Sequence, residues 1–395
     1  MDDLLTRGVE QIVGQEELEK ALAGKHKLRI KFGVDPTRPD IHIGHAVALR
    51  KLRQFQDLGH TVIFLIGDYT TKIGDPSGKD KTRPMLTDEE ISDNVKTYLD
   101  QVGSILNIKK AEIRYNSEWL AKLSFADLLN LASNVSVAQT IEREDFKNRL
   151  ESGRELALHE ILYPLMQAYD SVALEADVEF GGNDQLFNLM TGRTLQKKLG
   201  QRPQACFIVE LLVGTDGVKK MSKSLDNYVA INDTPLDMYG KVMSLPDALI
   251  APYYKLTTDV PLETIDGLVQ RFAEGANPRD SKASLAREII RIYHSEAAAT
   301  KAEADWNQTY RDKQGPTEGQ ILKIKAKDVA KMDETVALVE YVMALEIMPS
   351  RREYRQKVQE GGIRVNGETV TDPELVINKW DLINVGKTRF YQLEK

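Results

Sequence analysis

The stretch Leu28-Arg29-Ile30-Lys31-Phe32-Gly33-Val34-Asp35-Pro36-Thr37-Arg38-Pro39-Asp40-Ile41-His42-Ile43-Gly44-His45 decides the fold. Leu28–Phe32 reads as a strand, the Pro- and Asp-rich run as a turn, and about Ile43 to Leu58 as an amphipathic helix. Free N–H groups and the dipole at a helix start attract phosphate. Gly44 lacks a Cβ, so an adenine ring can lie against the backbone there. The imidazoles of His42 and His45, three residues apart, share a helix face and can both donate to phosphate oxygens. Far downstream, Lys220-Met221-Ser222-Lys223-Ser224 supplies two ammonium groups in a small-residue loop. Such a loop suits the clamping of a departing pyrophosphate. Together the two segments describe a site that holds a nucleotide triphosphate from two sides.

Around this unit, Thr61–Ile66 and Val178–Phe180 also read as strands, separated by helical patterns. That alternation predicts a mostly parallel sheet covered on both faces. Asp88 to Leu150 reads as helical material inserted between two halves of the sheet, with an amphipathic run at Ser124–Val135. Beyond Thr234 the pattern is nearly all helical: Leu236–Met243, Pro246–Tyr254, Leu262–Glu274, Ser281–Ser295 and Glu296–Trp306. Gln314-Gly315-Pro316-Thr317-Glu318-Gly319 reads as a linker. The last part has predicted helices over Asp333–Glu346 and Ser350–Glu360, then short strands with a two-residue hairpin turn at Asn366-Gly367.

The chain has 395 residues, more than one compact core usually takes, so two or three domains are expected. It is 42% hydrophobic and 29% charged, an ordinary globular composition. No apolar run approaches the roughly 18 residues of a membrane span. Acid at Asp2 and Asp3 falls where a signal peptide needs base, so a cytoplasmic protein is expected. A single cysteine, Cys206, allows no internal disulfide and no multi-cysteine metal site. It lies in the apolar run Ala205–Val213 and is expected in the core. A net charge of −7 argues against indiscriminate nucleic-acid binding.

Tyr163, Gln167 and Asp170, at i, i+4 and i+7, share one helix face. Pro164 either opens that helix or kinks it, because it offers no N–H. A phenol, an amide and a carboxylate make a poor core stripe but a good lining for a small zwitterion. Gly74-Asp75-Pro76-Ser77-Gly78 fixes a carboxylate at a loop tip. Gly181-Gly182-Asn183-Asp184-Gln185 follows a strand and precedes a helix, where α/β sheets place ligands.

The His-Ile-Gly-His and Lys-Met-Ser-Lys-Ser segments resemble, in order, the two signature motifs of class I aminoacyl-tRNA synthetases. With Tyr163, Gln167 and Asp170, the chain resembles bacterial tyrosyl-tRNA synthetases over its full length. The lysine loop and Asp35-Pro36-Thr37-Arg38-Pro39-Asp40 fit the second bacterial subtype. Where the other subtype has a tyrosine as second partner of the substrate phenol, this chain has Lys31, which is left out of the expected site.

The resemblance implies a Rossmann-like α/β catalytic domain over 1–234, with a helical insertion at about 105–165 and the lysine loop at 219–228. An α-helical tRNA-binding domain and linker then cover 235–319, and a small α+β S4-like RNA-binding domain covers 327–395. It implies tyrosine–tRNA ligation, with L-tyrosine, ATP and tRNA(Tyr) as partners, Mg²⁺ arriving with ATP, no protein metal site, and a homodimer. Thr37, His42, His45, Lys220 and Lys223 would be catalytic, with Thr37 and His42 at the γ-phosphate. Gly44, Gly182, Asp184 and Met221 would join the histidines and lysines around ATP. Tyrosine would meet Asp35, Thr70, Asp75, Tyr163, Gln167 and Gln185, and its phenol Asp170. Ser350 would cap a helix presenting Arg351 and Arg352, with Arg364 beside them, to an RNA backbone. A tryptophanyl enzyme shares the motifs but gives no reason for a phenol-accepting Asp170. A small nucleotidylyltransferase has no use for residues 327–395. A synthetase-derived RNA-binding protein without catalysis has no use for the lysine loop and both histidines.

Overall fold

The computed structural model describes residues 2–36, 41–76, 87–312, 316, 321–324, 334–386 and 389–393. Thr37, Asp40 and most of the Gln314–Gly319 segment lie outside them. Chain contacts divide it into two compact units, Met1–Asn232 with Leu245–Pro278, and Asp233–Ser244 with Arg279–Lys395.

The first unit is built on a six-stranded sheet in the order β1-β6-β5-β2-β3-β4. Its strands are β1 (Val9–Val13), β2 (Arg29–Val34), β3 (Thr61–Ile66), β4 (Glu112–Tyr115), β5 (Val178–Gly181) and β6 (Ala205–Val209). All neighbours pair in parallel except β1 with β6. The inner strands read as almost continuous apolar runs because helices cover both faces. One face packs on the helix Ile43–Asp57, where Phe55 stands edge-on to Phe180 and Phe207, centroids 5.6 and 5.8 Å away. Burying each ring contributes roughly 1.5–3 kcal/mol. Strand order reverses between β2 and β5, and only two residue pairs, Ile30↔Val178 and Lys31↔Glu179, join these strands before they part. A crevice opens there, at the carboxyl ends of the strands.

Three strands, β1, β4 and β6, are additions to the expected set. β4 is four residues long and lies inside the stretch expected to be helical. Its pairing to β3, not its own pattern, makes it a strand. The helix Leu158–Ala173 runs on through Pro164. Pro164 omits one intrahelical hydrogen bond, which packing of Leu165 and Ala168 on Leu195 of the helix Leu186–Lys198 outweighs.

In the second unit the helices Pro235–Met243 and Glu296–Trp306 pack together, with Tyr239 and Trp306 rings 5.8 Å apart. A small sheet runs β10-β9-β12-β13-β7, made of β7 (Ile321–Ile324), β9 (Ile363–Val365), β10 (Glu368–Thr369), β12 (Ile383–Val385) and β13 (Arg389–Leu393). A separate two-stranded pair joins β8 (Thr335–Ala337) to β11 (Val376–Asn378). The expected helix over Asp333–Glu346 therefore begins only at Leu338 and ends at Ala344, because Thr335–Ala337 pairs with β11. Ser350 caps the helix Arg351–Gln359, its hydroxyl accepting from Glu353 N–H at 3.2 Å. Asn366 and Gly367 both have positive φ, 51° and 91°, and turn β9 into β10. Among the described residues no helix is long and apolar enough to cross a membrane.

Candidate active site

The crevice between β2 and β5 holds a cavity of about 280 Å³. Its lining includes Lys31, Asp35, His45, Gly67, Thr70, Asp75, Tyr98, Asn116, Tyr163, Gln167, Asp170, Glu179, Gly182 and Gln185. Every residue expected to meet the amino acid is therefore in one place. Most come from the carboxyl edge of the sheet: Asp35 follows β2, Thr70 follows β3, Asn116 follows β4 and Gln185 follows β5. The helix Leu158–Ala173 supplies Tyr163, Gln167 and Asp170 from one face.

At one cluster the Tyr163 hydroxyl donates to Asp35 Oδ2 at 2.8 Å, and Thr70 Oγ1 donates to Asp35 Oδ1 at 2.8 Å. Asp75 Oδ2 accepts from Gln185 Nε2 at 2.7 Å. Burial, with Asp35 and Asp75 nearby, holds the Tyr163 hydroxyl well above its ordinary pKa, so it stays protonated. Its oxygen, with the proton directed at Asp35, can accept from a cation. Gly67 is required here, since a Cβ would collide with Asp35 Oδ1 and Thr70 Oγ1.

At a second cluster Asp170 accepts from Trp119 Nε1 at 2.7 Å and from Asn116 Nδ2 at 3.3 Å. Burial pushes its carboxyl up to about 7, against the pull of the Lys31 ammonium and these two donors. Asn116 also donates to Thr70 Oγ1 at 3.0 Å, tying the two clusters together. The sequence reading missed Asn116 and Trp119. Both follow β4, the strand hidden in a helix-rich stretch, so nothing placed them near the crevice.

The end expected to meet phosphate is built by a reciprocal cap. His45 N–H donates to His42 Nδ1 at 3.3 Å, and His42 N–H donates to His45 Nδ1 at 3.4 Å. The rings stack, 3.7 Å apart and 18° from parallel. With both Nδ1 lone pairs used, each neutral ring carries its proton on Nε2. Burial and the Lys223 charge push His45 down to about 4, and His42 lower still. Both rings are therefore neutral Nε2–H donors near pH 7. Gly44, the next residue but one after the cap, has Met221 Cβ 3.5 Å from where its own Cβ would stand.

The lysine loop is anchored at both ends. Met221 N–H donates to Leu212 O at 2.9 Å, and beyond the loop Ile43 N–H donates to Val229 O at 2.9 Å. Asn227, an unanticipated residue, bolts it from within. Its Nδ2 donates to Asp216 Oδ2 at 2.8 Å and its Oδ1 accepts from Ser222 N–H at 2.7 Å. Lys220 Nζ lies 2.8 Å from Asp184 Oδ2, just past Gly182 at the end of β5. Lys223 bears on both histidines through its charge. In the second unit Arg351 and Arg352 open the helix Arg351–Gln359 and Arg364 lies on β9, all three exposed. Arg351 pairs with Glu340 at 2.7 Å.

The family described as tRNA synthetases class I (W and Y) matches residues 23–311. The tyrosine–tRNA ligase SYY-like C-terminal domain matches residues 321–388. Tyrosine–tRNA ligase of Thermotoga maritima is 46% identical over 99% of this chain and 96% of its own length. That of Carboxydothermus hydrogenoformans is 47% identical over 99% and 97%. Among solved structures, tyrosyl-tRNA synthetase of Archaeoglobus fulgidus complexed with L-tyrosine shares the fold, with a TM-score of 0.61 and 24% identity over 76% of this chain and 98% of that one. The Aspergillus nidulans mitochondrial enzyme, truncated at its C-terminus, gives 0.64 at 23% identity over 78% and 93%. A cavity that offers neutral donors to phosphate and buried acceptors to an amino acid agrees with these likenesses, and the chain belongs to the tyrosine–tRNA ligases among the class I tRNA synthetases.

Proposed function

We propose that the residues gathered at the crevice divide the ligase reaction as follows. L-Tyrosine lies in the cavity with its phenol donating to Asp170. Its ammonium is held among Tyr163, Gln167, Asp35 and Asp75, with Thr70 orienting Asp35. ATP lies with its adenine against Gly44 and Met221 and its ribose at Gly182 and Asp184, displacing Lys220 from the carboxylate. The tyrosine carboxylate attacks the α-phosphorus, the bond to the bridging oxygen breaks, and pyrophosphate leaves with the electron pair. A carboxylate is already ionised at neutral pH, so no general base is needed. Catalysis reduces to positioning and to stabilising charge on the leaving group. Nε2–H of His42 and His45, the ammonium groups of Lys220 and Lys223, and Thr37 serve that end. Gln185 orients the carboxylate or the α-phosphate. A hydroxyl of the terminal adenosine of tRNA(Tyr) then attacks the adenylate carbonyl and AMP leaves.

Mg²⁺ enters as the ATP complex. The donors here are N–H groups and ammoniums, which suit phosphate oxygens rather than a metal. Residues 1–234 form the adenylate, while 235–319 and the S4-like 327–395, with Arg351, Arg352 and Arg364, hold the tRNA. The chain acts as a homodimer through the region of residues 105–165. Exposed Phe125, Leu129, Val137 and Leu158 support that reading, because such apolar surface is usually covered.

One observation carries the reading: a single cavity is lined by the phenol acceptor Asp170, the ammonium acceptors and His45 of the phosphate cap. Amino-acid-dependent exchange of pyrophosphate into ATP tests it. Exchange driven by tyrosine is expected; exchange driven by tryptophan and not tyrosine overturns it.

A further inference from the structure

Lys31 and Glu179 are partners on adjacent strands, at the last rung joining β2 to β5 before the crevice opens. Both side chains are buried, at 0% and 1% exposure. Lys31 Nζ lies 2.9 Å from Glu179 Oε1, 3.0 Å from the Gln167 backbone oxygen and 2.8 Å from Ser171 Oγ. An ammonium has three protons, so Lys31 is saturated. It lines the cavity yet has no donor left for a substrate.

Glu179 is equally committed. Its Oε1 accepts from Lys31 and from Gln167 Nε2 at 3.1 Å. Its Oε2 accepts from Ser171 Oγ at 3.0 Å and from Gln204 Nε2. An ionised carboxylate only accepts, so it dictates which end of the Gln167 amide faces it. The NH₂ group must turn to Glu179, which leaves Gln167 Oε1 for the cavity that Gln167 lines. Gly192 makes room for this network; a Cβ there would come 2.8 Å from Gln204 Nε2 and 3.4 Å from Glu179 Oε2.

We propose that Lys31 and Glu179 are positioning residues for amino-acid recognition: the buried pair fixes the Gln167 amide with its oxygen toward the substrate ammonium. This rests on the reading of Gln167 as an ammonium acceptor. Lys31 pairs with Glu179 and holds the Gln167 backbone oxygen. With Lys31 replaced as well, a glutamine at 179 could turn either end of its amide to Gln167, and the rule that orients Gln167 would vanish. A buried polar network holds one arrangement only while each member is satisfied.

Two competitive inhibitors separate this role from general damage. Tyrosinol keeps the ammonium, whereas 3-(4-hydroxyphenyl)propionate lacks it and keeps the carboxylate. The double variant Lys31→Met, Glu179→Gln is expected to weaken tyrosinol by roughly tenfold to a hundredfold, the range of a hydrogen bond to a charged group. Its affinity for 3-(4-hydroxyphenyl)propionate and its KM for ATP should hardly change. Equal weakening of both inhibitors, or of neither, overturns the proposal. That double variant removes both charges together and leaves neither buried without its partner. Glu179→Gln alone leaves Lys31 to hold the amide oxygen against Gln167, so it should weaken tyrosinol less than the double variant does. Gln167→Ala distinguishes the two readings. If it leaves tyrosinol unaffected, Gln167 does not hold the ammonium. If it weakens tyrosinol while the double variant does not, Gln167 holds the ammonium but the pair does not position it.

Discussion

On the proposed reading, the crevice and the C-terminal arginines both use charge for recognition, in opposite ways. In the crevice, Asp35, Asp170 and Glu179 each accept at least two hydrogen bonds from fixed neighbours, and Asp170 and Glu179 are buried. Arg351, Arg352 and Arg364 lie at the surface. Partners that are missing in a desolvated site cost their full desolvation, so a small substrate is selected by what it leaves unpaired. Exposed charges are screened and individually weak, so an RNA backbone is held by several at once. On that reading the first region distinguishes one side chain from another, and the second recognises a shape and a charge density.

The bluntest way to break the comparison is to separate the regions. A chain ending near Gly319 is expected to keep tyrosine-dependent pyrophosphate exchange and to lose most tRNA charging, since the removed part supplies phosphate and shape contacts. Both assays run on one preparation. Undiminished charging would remove the RNA role of residues 327–395.

Next in size is Lys223→Ala. Losing one donor to the departing pyrophosphate should raise the activation barrier by about 2–4 kcal/mol. Tyrosine affinity should hold, because the charge acts as the leaving group develops. Pre-steady-state adenylate formation during a tyrosine titration reads both quantities, and an unchanged rate would exclude the lysine from the chemistry.

Asp170 sharpens the comparison through pH. Its carboxyl is raised from 3.8 to about 7, so it accepts the phenolic proton best above that pH. The preference for tyrosine over phenylalanine in kcat/KM should therefore increase as pH rises through about 7, and Asp170→Asn should flatten the profile. A profile unchanged by the substitution would make Asp170 structural. The linkage to folding has the opposite sense. The folded state retains a proton that the unfolded chain has released, so this group's contribution to stability declines as pH rises from 3.8 to about 7.

The smallest effects belong to the arginines. Arg351→Ala, Arg352→Ala and Arg364→Ala should each weaken tRNA affinity by about 1 kcal/mol or less at low salt and reduce its salt dependence. Binding titrations at two salt concentrations check this. Arg351 should show the least, because Glu340 already holds its guanidinium.

Much of this was legible in the chain. The strand–turn–helix around His42 and His45 needs only local rules, and β2 and the helix Ile43–Asp57 lie within a residue or two of their expected bounds. The i, i+4, i+7 spacing of Tyr163, Gln167 and Asp170 brought all three to the cavity despite Pro164. β4 was illegible because four residues carry too little period to outweigh helix-forming neighbours. With it went Asn116 and Trp119, whose contacts to Asp170 span 54 and 51 residues.

By itself, then, the sequence determined the local units and the chemical groups: a helix start suited to phosphate, a two-lysine loop, a polar helix face and a hairpin at Asn366-Gly367. Spacing along one element suffices for each of these. Tertiary structure alone decided which groups satisfy one another. The Lys31–Glu179 rung, the Asn116–Thr70 tie and the Asn227 bolt join residues through the sheet or across a loop. Lys31 illustrates the reason. As a residue type it is a cation available to any anion, but strand pairing places it opposite Glu179 and uses all its protons. A side chain's capacity is set by its chemistry, and what remains of that capacity for a ligand is set by its neighbours in space.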